Sequence, residues 1–177
     1  MKSNPRRAWF LGALIPGILF CLAACGYHVT GSSGHLPAGV RSIGIPTFKN
    51  STREYKVEQQ MTAAVLKEFA LRTRVPVNSR STGVDAVLQG EIRNLFSAPV
   101  TFGVNTFASA FLVTVQISVK LVRVKDGVVL YENSDFSFQA QYELNASVSQ
   151  FFSEENAAVE RLARDFAAAL ASSVLTR

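Results

Sequence analysis

The stretch Phe111-Leu112-Val113-Thr114-Val115-Gln116-Ile117-Ser118-Val119-Lys120-Leu121 decides the fold. Phe111, Val113, Val115, Ile117, Val119 and Leu121 alternate with Thr114, Gln116, Ser118 and Lys120. A period of two puts the apolar set on a buried strand face and the polar set on the opposite face. The strand is expected over residues 110–125. Asp126-Gly127 then supplies a two-residue hairpin signal, because such turns need positive φ. The chain returns over 128–142, with Phe136, Phe138, Ala140 and Tyr142 inward and Asn133, Asp135, Ser137, Gln139 and Gln141 outward.

Upstream, residues 84–96 read as a third strand. Val84, Ala86, Leu88, Ile92 and Phe96 face one way, and Asp85, Gln89, Glu91 and Arg93 the other. Residues 97–109, rich in Gly, Asn and Thr, are expected to form a loop carrying Val100, Phe102, Val104 and Phe107. Residues 40–48 suggest a strand that Pro46 restricts to an edge or a strand end. Ser51 and Glu54 have capping-box spacing. Val57, Met61, Ala64, Val65 and Phe69 then give a helix over about 54–72, and residues 74–82 a short extended piece with a turn. A last helix is expected from Ser153, with Glu154 and Glu155 in its first turn. Its inner stripe is Val159, Leu162, Phe166, Ala169, Leu170 and Ser173, and Glu160–Arg164 and Arg161–Asp165 are solvent-side pairs. The order is β-α-β-β-β-α. A mostly antiparallel sheet needs one face covered, and two amphipathic helices are available for it. The expected class is α+β, a two-layer sandwich with both helices on one face.

Residues 1–24 have the pattern of an export signal. Lys2, Arg6 and Arg7 precede an apolar run that is short for a membrane span and is interrupted by Pro16-Gly17. Leu22-Ala23-Ala24 leads into Cys25, which resembles the bacterial lipobox. Its chemistry needs a thiol to take the diacylglyceryl group and small residues before the cut, so Cys25 is the expected acylated first residue of the mature chain. Residues 25–39, with Gly31-Ser32-Ser33-Gly34, have linker composition, and 40–177 are expected to form a single domain.

Composition excludes several function classes. Of 18 basic residues, Lys2, Arg6 and Arg7 lie in the signal, so 15 face 13 acidic ones in the remainder, a net +2. No stretch concentrates basic charge as a nucleic-acid surface requires. The 2 cysteines are Cys21, inside the signal, and Cys25, so no disulfide is expected in the domain. The 2 histidines, His28 and His35, both lie in the tether, away from a rigid supporting shell. No spacing suits zinc, and Asp85, Glu91, Asp126 and Asp135 lack an evident partner for acid–base work. No enzyme, metal or cofactor is expected beyond the lipid on Cys25.

Three features together resemble a known family. They are Cys25-Gly26-Tyr27-His28-Val29, then Leu36-Pro37 leading into Ile43-Gly44-Ile45-Pro46-Thr47-Phe48-Lys49-Asn50-Ser51-Thr52, then the helix over 58–69 before the strand run and last helix. The pattern resembles the lipopolysaccharide-assembly lipoproteins of the LptE family. The resemblance implies a lipid anchor in the outer membrane, on the periplasmic side. It implies a plug for an LptD-like β-barrel, supporting insertion of lipopolysaccharide into the outer leaflet. The outward face of Thr, Gln, Ser and Asn suits a polar barrel lumen, and residue 26 is Gly, not the Asp that retains lipoproteins in the inner membrane. The loop over 97–109, apolar between two polar-faced strands, is the expected tip against the barrel, so Phe102, Val104 and Phe107 are the expected barrel contacts. Members that bind lipopolysaccharide use basic residues in the middle loop and near the start of the last helix. Residues 97–111 and 142–160 hold no Lys or Arg. Arg93, Lys120 and Arg123, expected on the outer sheet face, are the candidate substitutes. The alternative is a periplasm-facing lipoprotein that carries an apolar lipid between sheet and helices, with Phe102 and Phe107 at the mouth.

Overall fold

A computed structural model describes residues 35–102, 108–143 and 148–175. Cys25, Val104 and Phe107 lie outside the described residues. The elements are β1 (Ile43–Gly44), β2 (Lys49–Asn50), α1 (Val57–Arg72), β3 (Val77–Asn78), β4 (Ala86–Phe102), β5 (Ala108–Arg123), β6 (Val129–Glu143) and α2 (Val148–Leu175). They form an α+β sandwich with a mostly antiparallel sheet in the order β3-β1-β4-β5-β6, with β2 on β4.

The alternation in β5 sets the layers. Val113, Val115, Ile117 and Leu121 are fully buried and Val119 nearly so. Ile117 pairs with Ile92 on one side and Phe136 on the other. The helices cover this face, and Phe166 of α2 fills its centre. Its ring meets Phe48, Phe136 and Phe138 edge-on at 6.2, 5.7 and 5.8 Å. Below α1, Met61, Val65 and Phe69 are wholly buried.

Several expectations need correction. Of the strand expected over 40–48 only β1, Ile43–Gly44, forms; β2 follows at Lys49–Asn50, on the other side of Pro46. Proline has no N–H for a ladder, so the chain bows out there. Of the two alternatives for Pro46 the structure has the strand end, β1 stopping at Gly44. β1 is not an edge, since it runs parallel to both β3 and β4, Ile43 pairing with Val77 and with Ala86. The extended piece near residue 77 is thus a sheet strand. The capping box does not form either. Helix α1 begins at Val57, and its N-cap Lys56 is left-handed, φ 64°, without a side-chain cap bond. Asn50 organises the turn instead. Its Nδ2 donates to Glu54 O and Glu58 Oε2, both at 2.8 Å, and its Oδ1 accepts from Thr52 N–H at 2.9 Å. Ser51 Oγ turns away to donate to Glu91 Oε1 at 2.7 Å. A short amide side chain mimics backbone groups, and here that outcompetes the helical cap.

Residues 97–109 are not a loop throughout. β4 continues to Phe102 and β5 starts at Ala108, paired to each other. A register shift between Ile92 and Asn94 inserts Arg93 as a bulge, which exchanges the two faces beyond it. Leu95 therefore packs against the core, while Phe96, expected inside, is 46% exposed. The β5–β6 turn is longer than the two-residue form: Arg123 N–H donates to Val128 O at 2.9 Å, enclosing 124–127, and Gly127 has φ 70°. Helix α2 starts at Val148, so Ser153 lies within it rather than capping it. No Gly or Pro interrupts 148–175, and a residue able to cap does not by itself stop a helix. The Glu160–Arg164 pair forms at 2.8 Å. Arg161 instead donates from Nη2 to Gln141 O at 3.2 Å, fastening α2 to β6.

Candidate functional site

The open face of the sheet carries a cleft of about 500 Å³. Three departures from regular sheet create it. Pro46-Thr47 bows out between β1 and β2 and forms one wall. The Arg93 bulge forms the end of β4's contribution. A second register shift, where Ile117 pairs with Phe136 but Val119 with Asn133, brings Asn133 and Ser134 to the opposite wall. Gln89, Ser118 and Lys120 form the floor between them.

Charge in the cleft is largely compensated. Lys49 Nζ donates to Glu91 Oε1 at 2.8 Å, and Lys120 Nζ lies 3.3 Å from Glu132 Oε1. The Lys49 bond, joined by the Ser51 hydroxyl, holds the Glu91 carboxyl below the usual carboxylate range. Three cations thus meet two carboxylates, and Arg93 is the surplus charge. A guanidinium on an exposed bulge, between two polar walls, is suited to bidentate contact with a phosphate or carboxylate. No nucleophile with an adjoining base lines the cleft. Among the described residues no group of three His, Cys, Asp or Glu is placed to hold a metal.

Of the expected lipopolysaccharide contacts, Arg93 and Lys120 come together here. Arg123 does not. It pairs with Ala86 and shares the inward parity of Leu121, at the far end of the sheet, where Nη1 meets Asp126 Oδ2 at 3.0 Å. Of the expected barrel contacts, Phe102 ends β4 and is 63% exposed. Lys49, Glu132 and the exposed Phe96 were not anticipated as surface features. Opposite charges at 49 and 91 are 42 positions apart, and only the parallel β2–β4 pairing, Lys49 with Glu91, joins them.

The model of the LptE family, described as lipopolysaccharide-assembly, matches residues 40–174. The chain belongs to the LptE family. This places it in lipopolysaccharide assembly, among transport and assembly components that are membrane-associated lipoproteins rather than known enzymes. No curated protein matches the chain. Solved structures share this fold at low identity. A putative lipoprotein from Caulobacter crescentus has TM-score 0.52 at 12% identity, covering 73% of this chain and 88% of that one. Uncharacterized lipoprotein B from Nitrosomonas europaea has TM-score 0.53 at 13% identity, covering 85% and 88%. The PelC dodecamer protein of Paraburkholderia phytofirmans has TM-score 0.52 at 13% identity, covering 80% and 94%. No helix among the described residues is long and apolar enough to cross a membrane.

Proposed function

We propose that this LptE-family chain is acylated at Cys25, is held in the outer membrane on its periplasmic side, and seats as a plug in an LptD-like β-barrel. In that place it supports delivery of lipopolysaccharide to the outer leaflet. The family match over nearly the whole domain carries the reading. The open sheet face supports it: its ion pairs and amides can meet a polar lumen without leaving buried charge unpaired. Phe96, Val100 and Phe102, all near one end of β4 and all exposed, give that end apolar anchors for a wall. Arg93 and Lys120 in the cleft are the proposed contacts for lipopolysaccharide phosphates.

The apolar-carrier alternative finds less support. The space between sheet and helices is filled by Phe166 and its neighbours. The gap between α1, α2 and Leu95 holds only about 50 Å³, far below a lipid-sized pocket.

The test is affinity capture of the acylated protein from outer membranes, followed by mass spectrometry. A stoichiometric barrel protein is expected. Native mass showing one bound lipid and no barrel would overturn the reading in favour of the carrier.

A further inference from the structure

The end of the domain that the chain reaches from Cys25 differs from the rest of the surface. Arg41 N–H donates to Asp85 Oδ2 at 2.9 Å. The carbonyl of the same Asp85 accepts from Val124 N–H at 2.9 Å. Asp85 therefore ties the arriving chain directly to the β5–β6 turn. That turn is apolar where turns are ordinarily polar: Val124, Val128 and Val129 are 51%, 47% and 43% exposed.

The same end is basic. Lys125 sits in the turn, Arg41 precedes β1, Arg80 follows β3 and Arg74 follows α1, and all four are exposed. The acids here are already engaged. Asp126 pairs with Arg123 and Glu68 with Arg72, while Asp85, held by the Arg41 N–H and the Ser42 hydroxyl, is one carboxylate against these four cations. The opposite end of the sheet, about 55 Å away along the 17 residues of β4, presents Phe102 and, among the described residues, no such cluster.

We infer that this end is a membrane-contacting surface. The valines of the 124–129 turn enter the boundary between headgroups and acyl chains, and Lys125, Arg41, Arg80 and Arg74 lie over anionic phospholipid headgroups. The inference rests on the proposed acylation of Cys25 but not on the barrel partner. His35 lies ten positions after Cys25, and ten peptide steps reach at most about 35 Å. The chain enters β1 at this end, through Arg41, so an acylated Cys25 keeps it within tether reach of the bilayer. Exposed valines flanked by Lys and Arg suit an anionic interface, since the stems lie along the apolar zone while the charges meet headgroups.

The mature chain has no thiol besides Cys25, so a Val128→Cys variant of the acylated protein takes one nitroxide label there. A Ser137→Cys variant, on the exposed middle of β6, is the control. Both are reconstituted in vesicles of phosphatidylglycerol and phosphatidylethanolamine. The label at 128 is expected to be relaxed by oxygen and shielded from a water-soluble nickel chelate, and the label at 137 to show the reverse. Vesicles of phosphatidylcholine should reduce the shielding. Arg80→Gln or Lys125→Gln should lower the seated-to-free ratio about five-fold for each basic residue lost. Equal nickel access at 128 and 137, with Cys25 shown by mass to be acylated, overturns the inference alone. An unacylated Cys25 overturns the anchor reading. Shielding that arises only when barrel protein is added also overturns the inference, because the turn would then be meeting protein.

Discussion

The ring of Phe48 lies directly over Gly90: a Cβ placed on Gly90 would stand 2.6 Å from two of its carbons. Phe48 is 3% exposed, so the ring has nowhere to move. Its backbone N–H is also held, by Thr62 Oγ1 of α1 at 2.9 Å. Gly90 thus lets the bowed segment after Pro46 drop its aromatic side chain into the core while Pro46 and Thr47 build the cleft wall. Gly90→Ala is expected to cost about 2 kcal/mol, as overpacking does, and to lower Tm by roughly 5–8 °C. Thermal melts of Gly90→Ala and of Gly90→Ala with Phe48→Leu check this, and the smaller ring partner should restore part of the loss.

The layer assignment predicts a sharp contrast between neighbours in β5. Ile117 is fully buried and Gln116 is only half-buried on the open face. Ile117→Asp should cost about 4 kcal/mol or more, since an unpaired charge enters the core. Gln116→Asp should leave the urea midpoint nearly unchanged. Equal losses in the two variants would contradict the observed parity.

Acid should loosen the junction at Asp85. The Arg41 backbone N–H, followed by the Ser42 hydroxyl, holds the Asp85 carboxyl below its ordinary value of 3.8. A folded pKa below the unfolded one stabilises the fold above that ordinary value, and the contribution fades as pH falls through the folded value. Asp85→Ala should therefore melt below the wild type at pH 6, and the gap should narrow as pH drops towards 3. A gap independent of pH would show that the carboxylate charge is not what holds the junction.

The cleft predicts a separation of binding from stability. Arg93 is exposed on a bulge, so Arg93→Ala should leave Tm unchanged, as surface substitutions generally do. If the cleft takes lipopolysaccharide phosphates, Arg93→Glu with Lys120→Glu should weaken capture of lipopolysaccharide, and added salt should weaken capture by the wild type. Unchanged capture by the double variant would move the contact elsewhere.

The far end of β4 predicts the converse for the barrel. Phe102→Ser with Phe96→Ser removes exposed rings, at 63% and 46%, without touching the core. The domain should stay folded by circular dichroism while the yield of co-purified barrel falls. An unchanged yield would place the contact on another surface.

The sequence by itself determined the inward set of β5, the apolar stripes of α1 and α2, and hence the two layers. Those readings need only side-chain periodicity, which is local to one element. The family resemblance was legible for the same reason, being carried by contiguous residues. Tertiary structure decided the rest. The parallel placement of β1 between β3 and β4 joins residues more than thirty positions apart, and no local pattern encodes such a partner. One extra residue at Arg93 exchanged the faces of β4 as far as the next register shift, after Pro99, so Phe96 came outside although its alternation pointed in. Asn50 took the turn that Ser51 and Glu54 were spaced to cap, because Glu91 on β4 was there to receive Ser51. The cleft has the same origin. Lys49, Arg93 and Lys120 are ordinary solvated cations until β2, β4 and β5 pair, and only that pairing sets them around one space.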